Sequence, residues 1–333
     1  MQSREVHLVS RPEGLPSDDC FEIVEVELPA PSAGEVTVRN RYLSVDPYMR
    51  GRMRDIESYS PPYELGMVMH GAAVGEVVAS EHADFATGDL VSSNFGWREG
   101  YTASASTLSK LPDDAHRPSY YLGVLGMPGL TAYAGTLDVG RVAEGETFFV
   151  SGAAGAVGST AGQVARMHGC RVIGSAGSDE KVAWLLDELG FDAAFNYRTS
   201  DLDAALAEAA PDGVDVYFDN VGYDHLQAAL ERMNPYGRVA ACGSISGYNA
   251  TDPRPGPSNL STIVGKRVTI QGFIVSDYAD RRPQFLSDMR RWLGEGEVRT
   301  RETFLDGIDH AVEAFRGLFD GSNAGKMVVR LDA

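Results

Sequence analysis

Cysteine is scarce in this 333-residue chain: Cys20, Cys170 and Cys242 stand far apart and are odd in number. That excludes a disulfide framework and a Cys-rich zinc site, and leaves three reduced, buried thiols as the expectation. Long hydrophobic runs are missing as well. None approaches the ~20 apolar residues that a membrane span needs, so no membrane partner is expected. The start of the chain carries Arg4, Glu5, His7, Arg11 and Glu13 and lacks the apolar centre of a secretion signal, which makes the cytoplasm the expected location. Positive charge is outnumbered, with 29 Lys and Arg against 47 Asp and Glu and a formal net charge of −18. Such a surface repels nucleic acid and anionic lipid, so neither is expected as a partner. Lysine is the rarest charge of all; Lys110, Lys181, Lys266 and Lys326 complete the set. An acidic, lysine-poor surface fits a salt-loving host, although a GC-rich genome alone would also favour Arg.

What is present reads as a globular protein. The composition is 43% hydrophobic and 23% charged, and the length suits two domains. From Glu5 to about Leu122 short strands alternate with Gly/Pro turns. Glu22–Leu28 and Glu35–Arg39 have the two-residue period of half-buried strands, with Pro29–Gly34 as the turn between them. Gly71–Ala79 and Asp89–Ser93 continue the series, which suggests a compact β-barrel-like domain. After Gly126 strands alternate with helices. Strands are expected at 147–151, 171–174, 193–197, 214–218 and 237–242, and helices at 159–168 and 180–189. This alternation predicts a doubly wound parallel sheet. Helices are also expected at 283–294 and 307–319, and a closing strand at 325–331 that joins the first domain.

The strongest motif is Gly152-Ala-Ala-Gly-Ala-Val-Gly158, set between a strand and a helix. Against the G-x-G-x-x-G pattern, Ala153 takes the first glycine's place, while Gly155 and Gly158 keep theirs. Gly155 lets backbone approach a pyrophosphate, and Gly158 lets the helix pack on the strand. The first turn, including Ala156 and Val157, offers N–H groups and a partial positive charge to phosphate. NAD sites usually place an acid at the end of the next strand. Here Ala176 stands in that position, and Ser175, Ser178 and Lys181 supply donors for a 2′-phosphate, which points to NADPH. Asp179 and Glu180 lie close enough to serve NAD instead, although helix capping accounts for them.

Taken together, the motifs resemble the medium-chain dehydrogenase/reductase superfamily, zinc-independent branch. They are most similar to the prostaglandin reductase (leukotriene B4 dehydrogenase) and NADPH-dependent curcumin reductase family. The resemblance is carried by Leu43-Ser-Val-Asp-Pro-Tyr-Met-Arg50, Gly126-Met-Pro-Gly-Leu-Thr-Ala-Tyr133, the glycine turn, Gly177-Ser-Asp-Glu-Lys181 and Phe195-Asn-Tyr197. Phe218-Asp-Asn-Val-Gly222, Cys242-Gly-Ser-Ile-Ser-Gly-Tyr248 and Asn323-Ala-Gly-Lys326 extend it over nearly the whole chain. It implies an α/β protein: a GroES-like β-barrel domain of residues 1–122 and 295–333, and a Rossmann NADP-binding domain, a doubly wound parallel sheet, of residues 123–294. It also implies a homodimer joined through Rossmann sheet edges. The cofactor-contacting positions it implies are Gly152, Ala153, Gly155–Gly158, Lys181, Tyr197, Asn220, the loop of Cys242, Gly243, Ser244, Ile245, Ser246 and Tyr248, then Phe273, Val275 and Asn323. Thr131 is expected at the nicotinamide carboxamide. Ser276–Ala279 departs from relatives that carry bulkier aromatic or basic residues there. Zinc-dependent members need a Gly-His-Glu triplet; in Gly66-Met-Val-Met-His-Gly71, Met69 falls at the His position and His70 at the Glu. No metal is expected.

The implied reaction is reduction of the carbon–carbon double bond of an α,β-unsaturated ketone or aldehyde. Hydride reaches the β-carbon, and negative charge develops on the carbonyl oxygen. Tyr248 is the first candidate to donate to that oxygen, because a phenol holds its proton up to about pH 10 in water. Tyr48, from the first domain, is the second. A quinone reductase and a non-catalytic NADPH-binding sensor are the competing readings.

Overall fold

The computed structural model describes residues 1–113, 115 and 117–331. The chain forms two compact units, one of Met1–Leu122, Glu302–Asn323 and Met327–Ala333, the other of Gly123–Arg301 and Ala324–Lys326. Residues 295–301 therefore sit with the second unit rather than the first. Gln163 holds them there: its side chain accepts from the Arg299 N–H at 2.8 Å and donates to the Arg299 carbonyl at 2.9 Å.

The first unit opens with β1 (Gln2–Leu8), β2 (Phe21–Glu27), β3 (Glu35–Ser44), the short α1 (Met49–Arg52), β4 (Met67–Val68), β5 (Ala73–Ser80), β6 (Leu90–Ser93), β7 (Gly100–Ser104) and β8 (Ser109–Lys110). The second unit supplies α2 (Met127–Ala134), β9 (Thr147–Val150), α3 (Ala156–Met167), β10 (Arg171–Ala176), α4 (Asp179–Asp187), β11 (Ala193–Asn196) and α5 (Leu202–Ala209). It continues through β12 (Val214–Asp219), α6 (Tyr223–Arg232), β13 (Met233–Ala241), α7 (Ser261–Lys266), β14 (Thr269–Gly272) and α8 (Arg282–Glu295). The first unit then resumes with β15 (Glu302–Asp306) and α9 (Ala311–Asp320), and β16 (Lys326–Arg330) closes the chain.

In the first unit β3 is the hub. It pairs antiparallel with β5, β7 and β16, and slips register against β5 at Thr37/Val38 and Asn40/Tyr42. Such bulges bend a strand and raise its twist, which lets one long strand serve three partners. Val36, Val38, Val77, Val91 and Tyr101 fill one core. Leu8, Leu43, Met49, Trp97 and Phe315 fill a second, in which the α9 side chains pack beneath the strands.

In the second unit six parallel strands run in the order β11-β10-β9-β12-β13-β14. Phe148, Phe149, Val150 and Val216–Phe218 are wholly buried, as expected of strands covered on both faces. The chain winds outward from β9 to β11, then crosses back to β12 and winds the other way. The order thus reverses between β9 and β12, and ligands of such sheets bind at that reversal, beyond the carboxyl ends of the strands.

Candidate dinucleotide and active site

The glycine turn leaves β9 at that reversal. Gly152 takes a left-handed φ of +60°, a conformation that suits glycine. A side chain on Gly158 would run into the Gly152 carbonyl, so glycine is required there for close approach of helix to turn. Ala153 is tolerated because it faces another glycine: its methyl lies where a Cβ on Gly174 would come within 2.8 Å. Helix α3 starts at Ala156, three residues earlier than expected, with Gly155 as its N-cap. Ala156, Val157 and Gly158 are thus its first turn, and their N–H groups open toward the switch point. Gly325 closes the other side, donating its N–H to the Ala154 carbonyl at 2.8 Å. Asn323, two residues earlier, is counted with the first unit.

β10 extends two residues beyond the expected end and finishes at Ala176, with no carboxylate. The residues at and beyond its end are arranged differently from the expectation. Ser175 is wholly buried in the sheet and its hydroxyl has no hydrogen-bond partner among the described residues, so it does not reach the rim. Ser178 caps α4, accepting the Lys181 N–H at 3.3 Å. Asp179 accepts from the Asn196 amide at 2.7 Å, which draws its carboxylate toward β11. Tyr197 and Arg198 come from the end of β11: a Cβ on Gly177 would lie 3.1 Å from the Tyr197 hydroxyl and 3.3 Å from Arg198 Nε. Arg198 is exposed, and sequence reasoning missed it, since a lone arginine after a strand has no distinguishing pattern. His225 was missed too. It packs edge-on beneath Tyr197, ring centroids 5.0 Å apart, and burial lowers its pKa to about 4.

At the end of β12, Asp219 organises three loops from within the protein. Its Oδ1 accepts from the Tyr217 hydroxyl at 2.7 Å, the N–H groups of Gly222 and Val221 at 2.8 and 3.0 Å, and the Ser151 hydroxyl at 3.3 Å. Burial raises the Asp219 pKa in spite of these donors. Its carbonyl accepts from the N–H groups of Cys242 and Gly243 at 2.9 and 3.0 Å. Asn220 donates to the Ser151 carbonyl at 2.8 Å. The loop after β13 is thereby held against the loop after β12, and Ser246 reinforces it by donating to the Val221 carbonyl at 2.7 Å. Burial, and secondarily Asp219, pushes the Cys242 thiol up to about 12, so it remains a neutral thiol. The Tyr248 hydroxyl accepts from the Ser244 N–H at 3.4 Å and stands 3.0 Å from a Cβ position on Gly243, folded over its own loop. Ile245 opens the 3₁₀ turn that carries it. Beyond this loop lies a cavity of about 590 Å³, walled in part by Asp219, Cys242, Gly243, Ser244 and Phe273. Val275 starts the turn that follows Phe273.

Thr131 is less available than expected. It sits on α2 and its hydroxyl donates to the Met127 carbonyl one turn back, at 2.8 Å. In the first unit, Tyr48 precedes α1 on a loop anchored by Arg50, a buried guanidinium that donates to the carbonyls of Pro12 at 3.1 Å and Gly14 at 2.8 Å. Burial, then Asp46, raises the Tyr48 pKa, so this phenol keeps its proton. His70 is lowered by burial and by Arg98, which stands 3.3 Å from its Nδ1. Among the described residues, no group of three or more His, Cys, Asp or Glu side chains is placed to hold a metal ion.

Two family models match the chain. One described as the N-terminal domain of oxidoreductase covers residues 4–111, and one described as zinc-binding dehydrogenase covers residues 156–291. The NADPH-dependent curcumin reductase of Escherichia coli (strain K12) is 44% identical, over 97% of this chain and 95% of its own. The 2-alkenal reductase (NADP(+)-dependent) of Nicotiana tabacum is also 44% identical, over 99% of this chain and 97% of its own. The crystal structure of CurA in complex with NADPH from Vibrio vulnificus superposes with a TM-score of 0.95 at 42% identity, covering 99% of each chain. Likeness of this extent embraces both units, a GroES-like domain and a Rossmann-type parallel sheet, and is not confined to the nucleotide turn. The chain belongs to the zinc-independent medium-chain dehydrogenase/reductase family, in the branch of the curcumin, prostaglandin and 2-alkenal reductases.

Proposed function

We propose that the protein is a zinc-independent reductase that uses NADPH to saturate the carbon–carbon double bond of α,β-unsaturated ketones and aldehydes. The observation that carries this reading is the nucleotide turn, paired with a β10 that ends without an acid and is flanked by Lys181, Tyr197 and Arg198. A strand end of this kind does not repel a 2′-phosphate, whereas a carboxylate there would. The named activities of the relatives point the same way.

The residues fit the cofactor. The first-turn N–H groups of Ala156, Val157 and Gly158 would hold its diphosphate, and Lys181 and Arg198 its 2′-phosphate. The loops held by Asp219 would seat the nicotinamide end, with Cys242–Ser244 and Phe273 as walls. When bound, NADPH supplies hydride to the β-carbon of the enone. The protein must then satisfy the negative charge that develops on the carbonyl oxygen. Tyr248 is assigned to donate there, because accepting the Ser244 N–H orients its hydroxyl so that its own proton is the one given. Tyr48, which keeps its proton, is the second donor. A solvent proton at the α-carbon completes the saturated carbonyl, and the Tyr248 phenol takes back the proton it lent to the oxygen. Cys242 has no nucleophilic part in this scheme, since its thiol stays protonated.

A cytosolic homodimer completes the proposal. No helix among the described residues is long and apolar enough to cross a membrane. β14 leaves one edge of the parallel sheet open. The deciding experiment follows NADPH absorbance with alkenals, enones, quinones and simple alcohols, and identifies products by mass. A saturated ketone two mass units heavier than its enone is the expected product. Faster turnover of quinones, or oxidation of plain alcohols as the main activity, would overturn the reading.

A further inference from the structure

Phe273 walls the cavity assigned to the nicotinamide end of the cofactor, together with Cys242, Gly243 and Ser244. Behind that ring stands a glycine. Gly135 follows α2 directly, at φ −62° and ψ −34°, an ordinary helical conformation open to any residue but proline. Glycine is a poor helix former, so the backbone gives no reason for it here. Room does: a Cβ on Gly135 would come within 2.6 Å of the Phe273 ring and 2.5 Å of the Phe218 ring. Phe218 is wholly buried and packs on Phe148, centroids 6.4 Å apart, so the core around it holds it in place. Phe273 meets Phe218 edge-on at 6.2 Å and also borders the cavity, into which it can yield.

The same stretch grips the Phe273 segment a second time. Residues 135–139 form a π-helical turn, closed by the Gly140 N–H on the Gly135 carbonyl at 2.8 Å. Wide turns of this kind are frequent at functional sites. Asp138, within it, pairs with Arg281 at 3.1 Å, and Arg281 ends the turn Val275–Arg281 that follows Phe273. One contact is steric and the other ionic, and both hold residues 273–281 against the end of α2. We propose that Gly135 and Asp138 are positioning residues, which together set where Phe273 stands and so how wide the seat for the nicotinamide end is. The inference rests on the NADPH reading and gives that seat a support beyond the cofactor-contacting positions.

The test measures binding to the full-length protein of NADPH and of adenosine 2′,5′-bisphosphate, which keeps the 2′-phosphate and lacks the nicotinamide. In Gly135→Ala the Phe273 ring is pushed into the seat, and Kd for NADPH should rise by about 10-fold or more. Kd for the bisphosphate should hold, which also shows that the variant is folded. In a Phe273→Leu background, Gly135→Ala should add little further loss, the non-additivity expected of neighbours in contact. Asp138→Ala should weaken NADPH binding several-fold and leave the bisphosphate unchanged; should Gly135→Ala not fold, this variant decides alone. Equal losses for the two ligands, NADPH affinity unmoved in the folded variants, or a loss that Phe273→Leu does not relieve overturns the inference and leaves the cofactor reading intact. A wild type that binds neither ligand sinks the cofactor reading as well.

Discussion

At the scale of single residues, the proposal divides labour between cofactor choice and proton donation. Lys181 and Arg198 belong to the first task. Charge-assisted hydrogen bonds contribute roughly 1.5–3 kcal/mol, so Lys181→Ala and Arg198→Ala should each weaken NADPH binding by about 10–100-fold. NADH binding, which involves no 2′-phosphate, should change little; titrating both cofactors by fluorescence separates the two, and equal losses for NADH would remove these residues from phosphate recognition. Tyr248 belongs to the second task. Tyr248→Phe is expected to lower kcat by about 10²-fold or more with NADPH affinity nearly kept, and full turnover in that variant would dismiss the acid assignment. His225 makes a prediction about stability. Its folded pKa of about 4 lies below the unfolded value of 6.5. Between those values the unfolded chain binds a proton at this position and the folded chain does not, so stability falls as pH drops through that window. At about 1.4 kcal/mol per unit, the wild type should lose about 3 kcal/mol more than His225→Gln between pH 7 and pH 4. Parallel acid profiles in chemical denaturation would show the histidine to be already charged in the fold.

At the scale of elements, the sequence was legible where hydrophobic period and glycine spacing coincide. The five expected strands of the second unit all appear, because buried runs such as Phe148–Val150 are apolar for a structural reason. Their ends were less legible. Helix α3 starts three residues early, at Ala156, because Gly155 serves as its N-cap and Gly158 allows its first turn to pack against the glycine turn. Ser175 is expected to supply a donor to the 2′-phosphate, and its place inside β10 buries its hydroxyl instead. Strand β14 was not anticipated. Its four residues are all exposed, so no alternation marks them. That exposure carries its own prediction. Among the described residues β14 has β13 on one side only and so a row of unpaired backbone groups, and Ile270 and Val264 are 37% and 80% exposed. Edges of this kind are rarely left bare, and a second copy of the chain is the proposed cover. Light scattering should give a dimer. Since alternate N–H groups of a strand point opposite ways, one of Ile270→Pro and Gln271→Pro should yield a monomer without loss of thermal stability. A monomeric wild type would remove the dimer from the proposal.

At the scale of the whole molecule, the family was legible because its motifs recur in order along the chain, while the site was only partly so. Tyr197, Asn220 and Cys242 are far apart in sequence, and the reversal of strand order between β9 and β12 brings their loops to one end of the sheet. Arg198 could not be read in this way, since it becomes meaningful only through what lies beside it in space. Charge, by contrast, is fully visible in the sequence and acts on the molecule as a whole. At −18, self-repulsion disfavours the compact state in dilute buffer. The folded chain offsets part of this with arginine pairs, among them Arg238–Glu146 at 2.7 Å and Arg4–Glu99 at 2.7 Å. Exposed pairs are individually worth only about 0–1 kcal/mol, so they do not cancel the excess. Salt therefore acts in two opposing senses: it screens a few weak attractions and a much larger sum of repulsions, over a Debye length of about 10 Å at 0.1 M. Repulsion should dominate. The melting temperature is expected to rise steadily from low salt to molar salt, in NaCl and KCl alike, most steeply at the low end where screening changes fastest. A flat or falling curve would mean that the acidic surface is not a determinant of stability and reflects coding bias alone.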